Sequence, residues 1–117
     1  MATITKDDLS GSTTGQMIAV AATSSAGTTI HTAVAGTTNW DEIWIYANNI
    51  DGTDRKLTIE WGNTTAIGGH IEYTVVAESG LALVIPGLLL QNGLLVTAFA
   101  ATTNTIMLSG YVNKITA

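Results

Sequence analysis

Acid–base, nucleophilic or metal chemistry in this 117-residue chain would have to come from two histidines, nine acidic residues and abundant serine and threonine, because it holds no cysteine. His31 and His70 stand alone. Neither has a second histidine four residues away with a carboxylate, so no zinc or histidine-based catalytic centre is encoded by spacing; both read as polar-face or loop residues. Asp41, Glu42, Glu60, Glu72 and Glu78 could supply the carboxylate pair of a glycosidase, and Trp61 beside Glu60 could stack on a sugar. A domain this small offers no evident deep cleft for that reaction. Asn48-Asn-Ile-Asp-Gly-Thr-Asp54 offers hard oxygens suited to calcium, but it lacks the alternating acidic ladder and closing glutamate of an EF-hand loop and reads better as an Asx-type turn. No Gly-x-Ser-x-Gly elbow is present, and Gly68-Gly69 lacks the lysine of a phosphate-binding loop. The expectation is therefore a protein that is not an enzyme, with no catalytic residue, no cofactor and no metal.

The aromatic residues are the second source of candidates. All three tryptophans fall between positions 40 and 61. Trp44, Tyr46 and Trp61 could form an aromatic platform for carbohydrate. The competing use is core and subunit packing, where large aromatics usually go.

Strands must position these side chains. Threonine, valine and isoleucine are plentiful, and β-branching suits a pleated strand. Runs bounded by turn residues give about eight strands at the spacing of a sandwich or barrel: Met17 to Ala22, Thr28 to Ala35, Trp40 to Ile50, Arg55 to Trp61, Ile71 to Ala77, the two halves of Leu81 to Leu90 about Pro86-Gly87, and Thr105 to Ile115. Asn92-Gly93, between apolar runs, is a type I′ hairpin signal, because both residues accept a positive φ. Residues 1–16 read as a polar N-terminal arm and residues 17–117 as a single β-sandwich domain.

The stretch from Trp40 to Trp61 reads as a hairpin whose turn parity decides what is buried, since side chains alternate with a period of two. A four-residue loop, Asp51 to Asp54, sets Trp44 opposite Trp61 and Tyr46 opposite Ile59. Trp44, Tyr46, Leu57, Ile59 and Trp61 then face the core, while Ile43, Ile45 and Ala47, with Trp40, are left for a partner or a subunit contact. An odd loop exchanges the two sets. Under either count one apolar set faces away from the main core, and a second copy or a loop of the same chain must cover it.

Composition narrows the partners. Charged residues are 11% of the chain, against about 25% in typical soluble proteins, which suggests a surface partly covered by other molecules. The net charge of −5, with Lys6, Arg55, Lys56 and Lys114 as the fixed cations, argues against nucleic acid and against an anionic membrane surface. The amino terminus lacks the basic and apolar regions of a secretory signal, and Leu81 to Leu90 is about half a membrane span. Synthesis in a cytoplasm without export is expected.

Asp41-Glu-Ile-Trp-Ile-Tyr46, Lys56-Leu-Thr-Ile-Glu-Trp-Gly62, Ser79-Gly-Leu81 through Pro86-Gly-Leu-Leu-Leu-Gln-Asn-Gly93, Ala98-Phe-Ala-Ala-Thr-Thr-Asn-Thr-Ile106 and Gly110-Tyr-Val-Asn-Lys-Ile-Thr116 together resemble small structural proteins encoded in tailed-bacteriophage genomes. The resemblance spans roughly residues 28–116 and leaves Met1 to Gly27 outside it. Proteins of that kind are β-sandwich or jelly-roll decoration (cement) proteins, which sit as trimers on the capsid, and related head-fibre or tail components. The resemblance implies a virion location on the capsid surface, synthesis in the host cytoplasm, and as partners a homo-oligomer, favouring a trimer, and the major capsid protein. It carries no catalytic motif to transfer. A host-recognition or carbohydrate-binding module of a fibre or tail is the alternative.

Overall fold

The computed structural model describes residues 2–117. Nine strands follow in order, with no helix among the described residues: β1 (Thr3–Asp8), β2 (Ile18–Ala19), β3 (Thr28–Thr32), β4 (Trp40–Asn49), β5 (Arg55–Trp61), β6 (His70–Val75), β7 (Leu81–Leu90), β8 (Leu95–Ala100) and β9 (Ile106–Thr116). One antiparallel sheet runs β1–β9–β4–β7, with β2 beside the other half of β9, and the second runs β3–β8–β5–β6. Apart from β1–β2 and β5–β6, each successive connection crosses between sheets, and the order is that of a jelly roll. The all-β antiparallel sandwich expected from the sequence is the fold.

Two connections depart from expectation for one reason. Asp51 to Asp54 joins β4 to β5 across the sandwich, so the two strands do not pair and no parity rule links them. Asn49, buried at the end of β4, pins that crossing by donating from Nδ2 to the carbonyls of Thr53 and Val75 (both 2.9 Å) while its Oδ1 accepts the Asp51 N–H. Asn92 and Gly93 take the positive φ expected of them, 66° each, yet link β7 and β8 in different sheets. Their N–H groups donate to Gly36 and Val34 in the β3–β4 loop. Local turn chemistry reverses the chain, and the choice of neighbour belongs to the two sheets.

The core lies between the sheets. Strand β4 alternates cleanly, with Asp41, Ile43, Ile45, Ala47 and Asn49 buried. Val112, Leu108 and Ile106 of β9 pack there, as do Leu57 and Ile59 of β5 and Val96, Ala98 and Ala100 of β8. Ile43, Ile45 and Ala47 are fully buried in the chain's own core. The expectation that they face a partner is corrected: they point to the opposite sheet, and Trp44 and Tyr46 point away from it.

Two further corrections concern the ends of the chain and β7. Residues Thr3 to Asp8 of the N-terminal segment pair along β9, and Leu9 is a core residue, so this segment is held by its own chain. Leu81 to Leu90, read as two strands about Pro86-Gly87, is one edge strand, largely exposed, with bulges at Val84 and Gly87. Pro86 is tolerated at such an edge because its missing N–H costs no ladder bond there.

Candidate functional site

The outer face of the β1–β9–β4–β7 sheet gathers apolar and aromatic side chains that the core does not use. Register places Ile4, Ile115 and Trp40 in one row and Lys6, Asn113, Glu42 and Leu89 in the next. Tyr111, Trp44 and Pro86 form the third, followed by Tyr46 with Leu83 and Asn48 with Leu81. Ile4 is 66% exposed, Trp40 40%, Leu81 60%, Leu83 42% and Leu89 47%, values typical of surface positions although none of the five is polar. The bland alternative, isolated surface leucines, does not describe them, because they occupy successive rows of one sheet.

The middle of this face is fixed in place. Tyr111 stacks on Trp44 with ring centroids 6.1 Å apart and planes 16° from parallel. Lys6 places its ammonium 4.7 Å from the Tyr111 centroid, within cation–π range. Trp44 leans over Gly87, where an added Cβ would come within 2.7 Å of the indole. Glu42 Oε1 accepts from Trp44 Nε1 at 2.8 Å and from Asn113 Nδ2 at 2.9 Å, and these two bonds, Asn113 first, hold its carboxyl below the ordinary glutamate value. Lys6, Tyr111 and Asn113 were missed in the sequence; the alternation of Tyr111-Val112-Asn113 about a core valine is a signal for the latter two, while Lys6 joins them only through the β1–β9 pairing.

Trp61 is not part of this group. It lies in the other sheet opposite Val96 and packs against the core, so the proposed platform of Trp44, Tyr46 and Trp61 is not assembled.

The β3–β8–β5–β6 sheet treats its outer face differently. Thr29, Thr97, Glu60 and His70 form one row across it, and the loops between β2 and β3 and between β5 and β6 close over that row. Glu60 has no exposed surface. Its Oε1 accepts Gly27 N–H and Thr97 Oγ1–H, both at 2.7 Å, and its Oε2 accepts Ser25 Oγ–H at 2.5 Å, with His70 Nε2 3.6 Å away. Burial alone would raise this carboxyl, but the Ser25, Thr97 and Gly27 donors with the His70 charge outweigh it and set the pKa below the ordinary value. A carboxylate with its lone pairs so occupied is a structural peg, which removes Glu60 from the glycosidase reading. Beside the peg, an open cleft of about 460 Å³ is lined by Gly27, Thr29, Asn63, Thr64, Leu94 and Leu95 among others.

Ser10, His31 and Asp41 have the composition of a hydrolase triad without its wiring. His31 was expected on a polar face. A bulge at Ile30 turns both residues inward, and His31 is 2% exposed. Its Nδ1 accepts the Ser10 backbone N–H at 2.9 Å and its Nε2 faces Asp41 Oδ2 at 2.7 Å, while Ser10 Oγ accepts the Thr32 N–H. A nucleophile needs the serine hydroxyl on the imidazole and room for substrate; here the imidazole ties the β1–β2 connection to the core. His70 donates from Nε2 to the Thr64 carbonyl (2.9 Å) and sits edge-on to Phe99.

In the loop expected to be an Asx turn, Asp51 accepts Gly52 N–H and pairs with Arg55, and Asp54 accepts Ala77 N–H. These oxygens answer protein donors. No three His, Asp or Glu side chains among the described residues converge as a metal site would require. The chain matches no family model, no curated protein and no solved structure.

Proposed function

We propose that this protein is a structural subunit that acts by burying the outer face of its β1–β9–β4–β7 sheet in an assembly, in the manner of the phage capsid decoration proteins its sequence resembles. One observation carries the reading: successive rows of that face hold exposed Ile4, Trp40, Leu81, Leu83 and Leu89 around the fixed Trp44–Tyr111 pair. Burying such a face on a neighbour releases ordered water and brings aromatic anchors into a desolvated centre. A subunit that binds the assembled shell and not its dispersed parts stabilises the shell by mass action alone. The role is non-catalytic, with a second copy and a major capsid protein as the partners.

Light scattering behind size-exclusion chromatography, with sedimentation onto assembled phage shells, tests the proposal. The wild-type chain should self-associate or add to shells, and Leu83→Glu should do neither while keeping the wild-type circular dichroism. A wild-type chain that stays monomeric when concentrated and adds to no shell overturns it.

A further inference from the structure

The cleft on the opposite sheet is independent of that assembly face, and its walls are held by a buried group. Ser25 and Gly27 of one wall and Thr97 of the floor all donate to the Glu60 carboxylate. The other wall is tied in by His70 Nε2, which donates to the Thr64 carbonyl, and by Asn63 Oδ1, which accepts the Thr65 N–H. The third side is the entry to β8, where the Leu95 carbonyl accepts the Gly62 N–H at 2.8 Å. The site therefore exists before any ligand arrives, which spares the cost of ordering it. Its volume of about 460 Å³ suits a small molecule.

The lining selects the chemistry. No lining side chain carries a charge. An anion would meet the ionised Glu60 behind Gly27 and Thr97, in a chain of net charge −5. A cation would find no carboxylate in reach, because Glu60 is wholly buried and already accepts three hydrogen bonds from Ser25, Gly27 and Thr97. What remains is amphipathic: Leu94 and Leu95, 41% and 44% exposed, offer apolar surface, and Thr29, Thr64 and Asn63 bring uncharged donors and acceptors to the same lining. We infer that the cleft bounded by Gly27, Thr29, Asn63, Thr64, Leu94 and Leu95 binds an uncharged saccharide unit, its C–H face on the leucines and its hydroxyls on the threonine and asparagine side.

Amide-resolved NMR titration of the full chain with methyl glucoside, methyl galactoside and N-acetylglucosamine, each to about 50 mM, reads millimolar binding directly. At least one sugar should give saturable shifts confined to Gly27, Asn63, Thr64 and Leu95, and glucuronate should bind at least about tenfold more weakly than its neutral counterpart. Leu95→Glu, at an exposed position, should abolish the shifts, and Trp44→Ala should leave them in place. Shifts centred on Trp44 and Tyr111, or no saturable shift with any of the three neutral sugars, overturns the inference.

Discussion

Glu60 is the most exacting test of how the loops are held to the second sheet. In Glu60→Ala the Gly27 N–H and the Thr97 and Ser25 hydroxyls lose their acceptor. A buried donor left unpaired costs about 1–3 kcal/mol, but the Ser25 hydroxyl can turn to water, so two full penalties and part of a third give about 3–5 kcal/mol. Glu60→Gln keeps one oxygen for Gly27 and Thr97 and offers Ser25 an N–H that its hydroxyl can accept, so the loss is the charge assistance of these bonds, about 1–2 kcal/mol. The pH dependence separates this account from a packing effect. The folded-state pKa lies below the ordinary value of 4.5, so the stabilisation is complete above that value and is lost as pH falls through the lower folded pKa. Urea unfolding of wild type and Glu60→Gln at about pH 7 and about pH 3 should show a gap that shrinks in acid. A gap that is absent at neutral pH, or equal at both, refutes the reasoning.

Two further outcomes follow from backbone and core geometry. Gly110 lies so close to β4 that an added Cβ meets the Trp44 carbonyl oxygen and Ile45 Cα, so Gly110→Ala should part the central β4–β9 ladder and lower stability by about 3 kcal/mol or more, read as a fall in thermal midpoint. His31→Ala removes the acceptor of Ser10 N–H and a partner of Asp41; a loss of about 3 kcal/mol with faster hydrogen exchange at Ser10 and along β1 is expected, and unchanged exchange there contradicts the tie.

Strand existence and the two-sided apolarity of the Trp40-to-Trp61 stretch were legible because a period of two is a local property. Topology was not. Asn92-Gly93 and Asp51 to Asp54 have sound turn chemistry, but a turn specifies reversal, and in a jelly roll reversal usually means changing sheets. The inward turn of His31 was hidden for a different reason: the bulge at Ile30 breaks the alternation at one residue, and nothing in Thr28-Thr-Ile-His-Thr32 announces it. Glu60 was noticed as a carboxylate beside a tryptophan. Its role as a peg depends on Ser25 and Thr97, 35 and 37 residues away, which strand order brings together and sequence spacing does not.

The two outer faces then answer the question raised by that double-sided apolarity, and they answer it differently. On the outer face of β5, Thr58 and Glu60 are both buried, and Glu60 is held under the chain's own Ser25–Gly27 loop. On β4 and β7 no such cover comes from the described residues, and Leu81, Leu83 and Leu89 keep much of their surface open. Replacing exposed leucines with polar residues would change folding stability by about 0.5 kcal/mol or less, so the fold places little demand on their apolar character. An apolar residue that the fold does not require, repeated on successive rows of one face, is better accounted for by what that face meets than by what lies beneath it. Supporting the rows with a stacked Trp44–Tyr111 pair, an ionised Glu42 and a glycine that admits the indole holds the face in one shape before contact, which lowers the ordering cost of a rigid subunit interface.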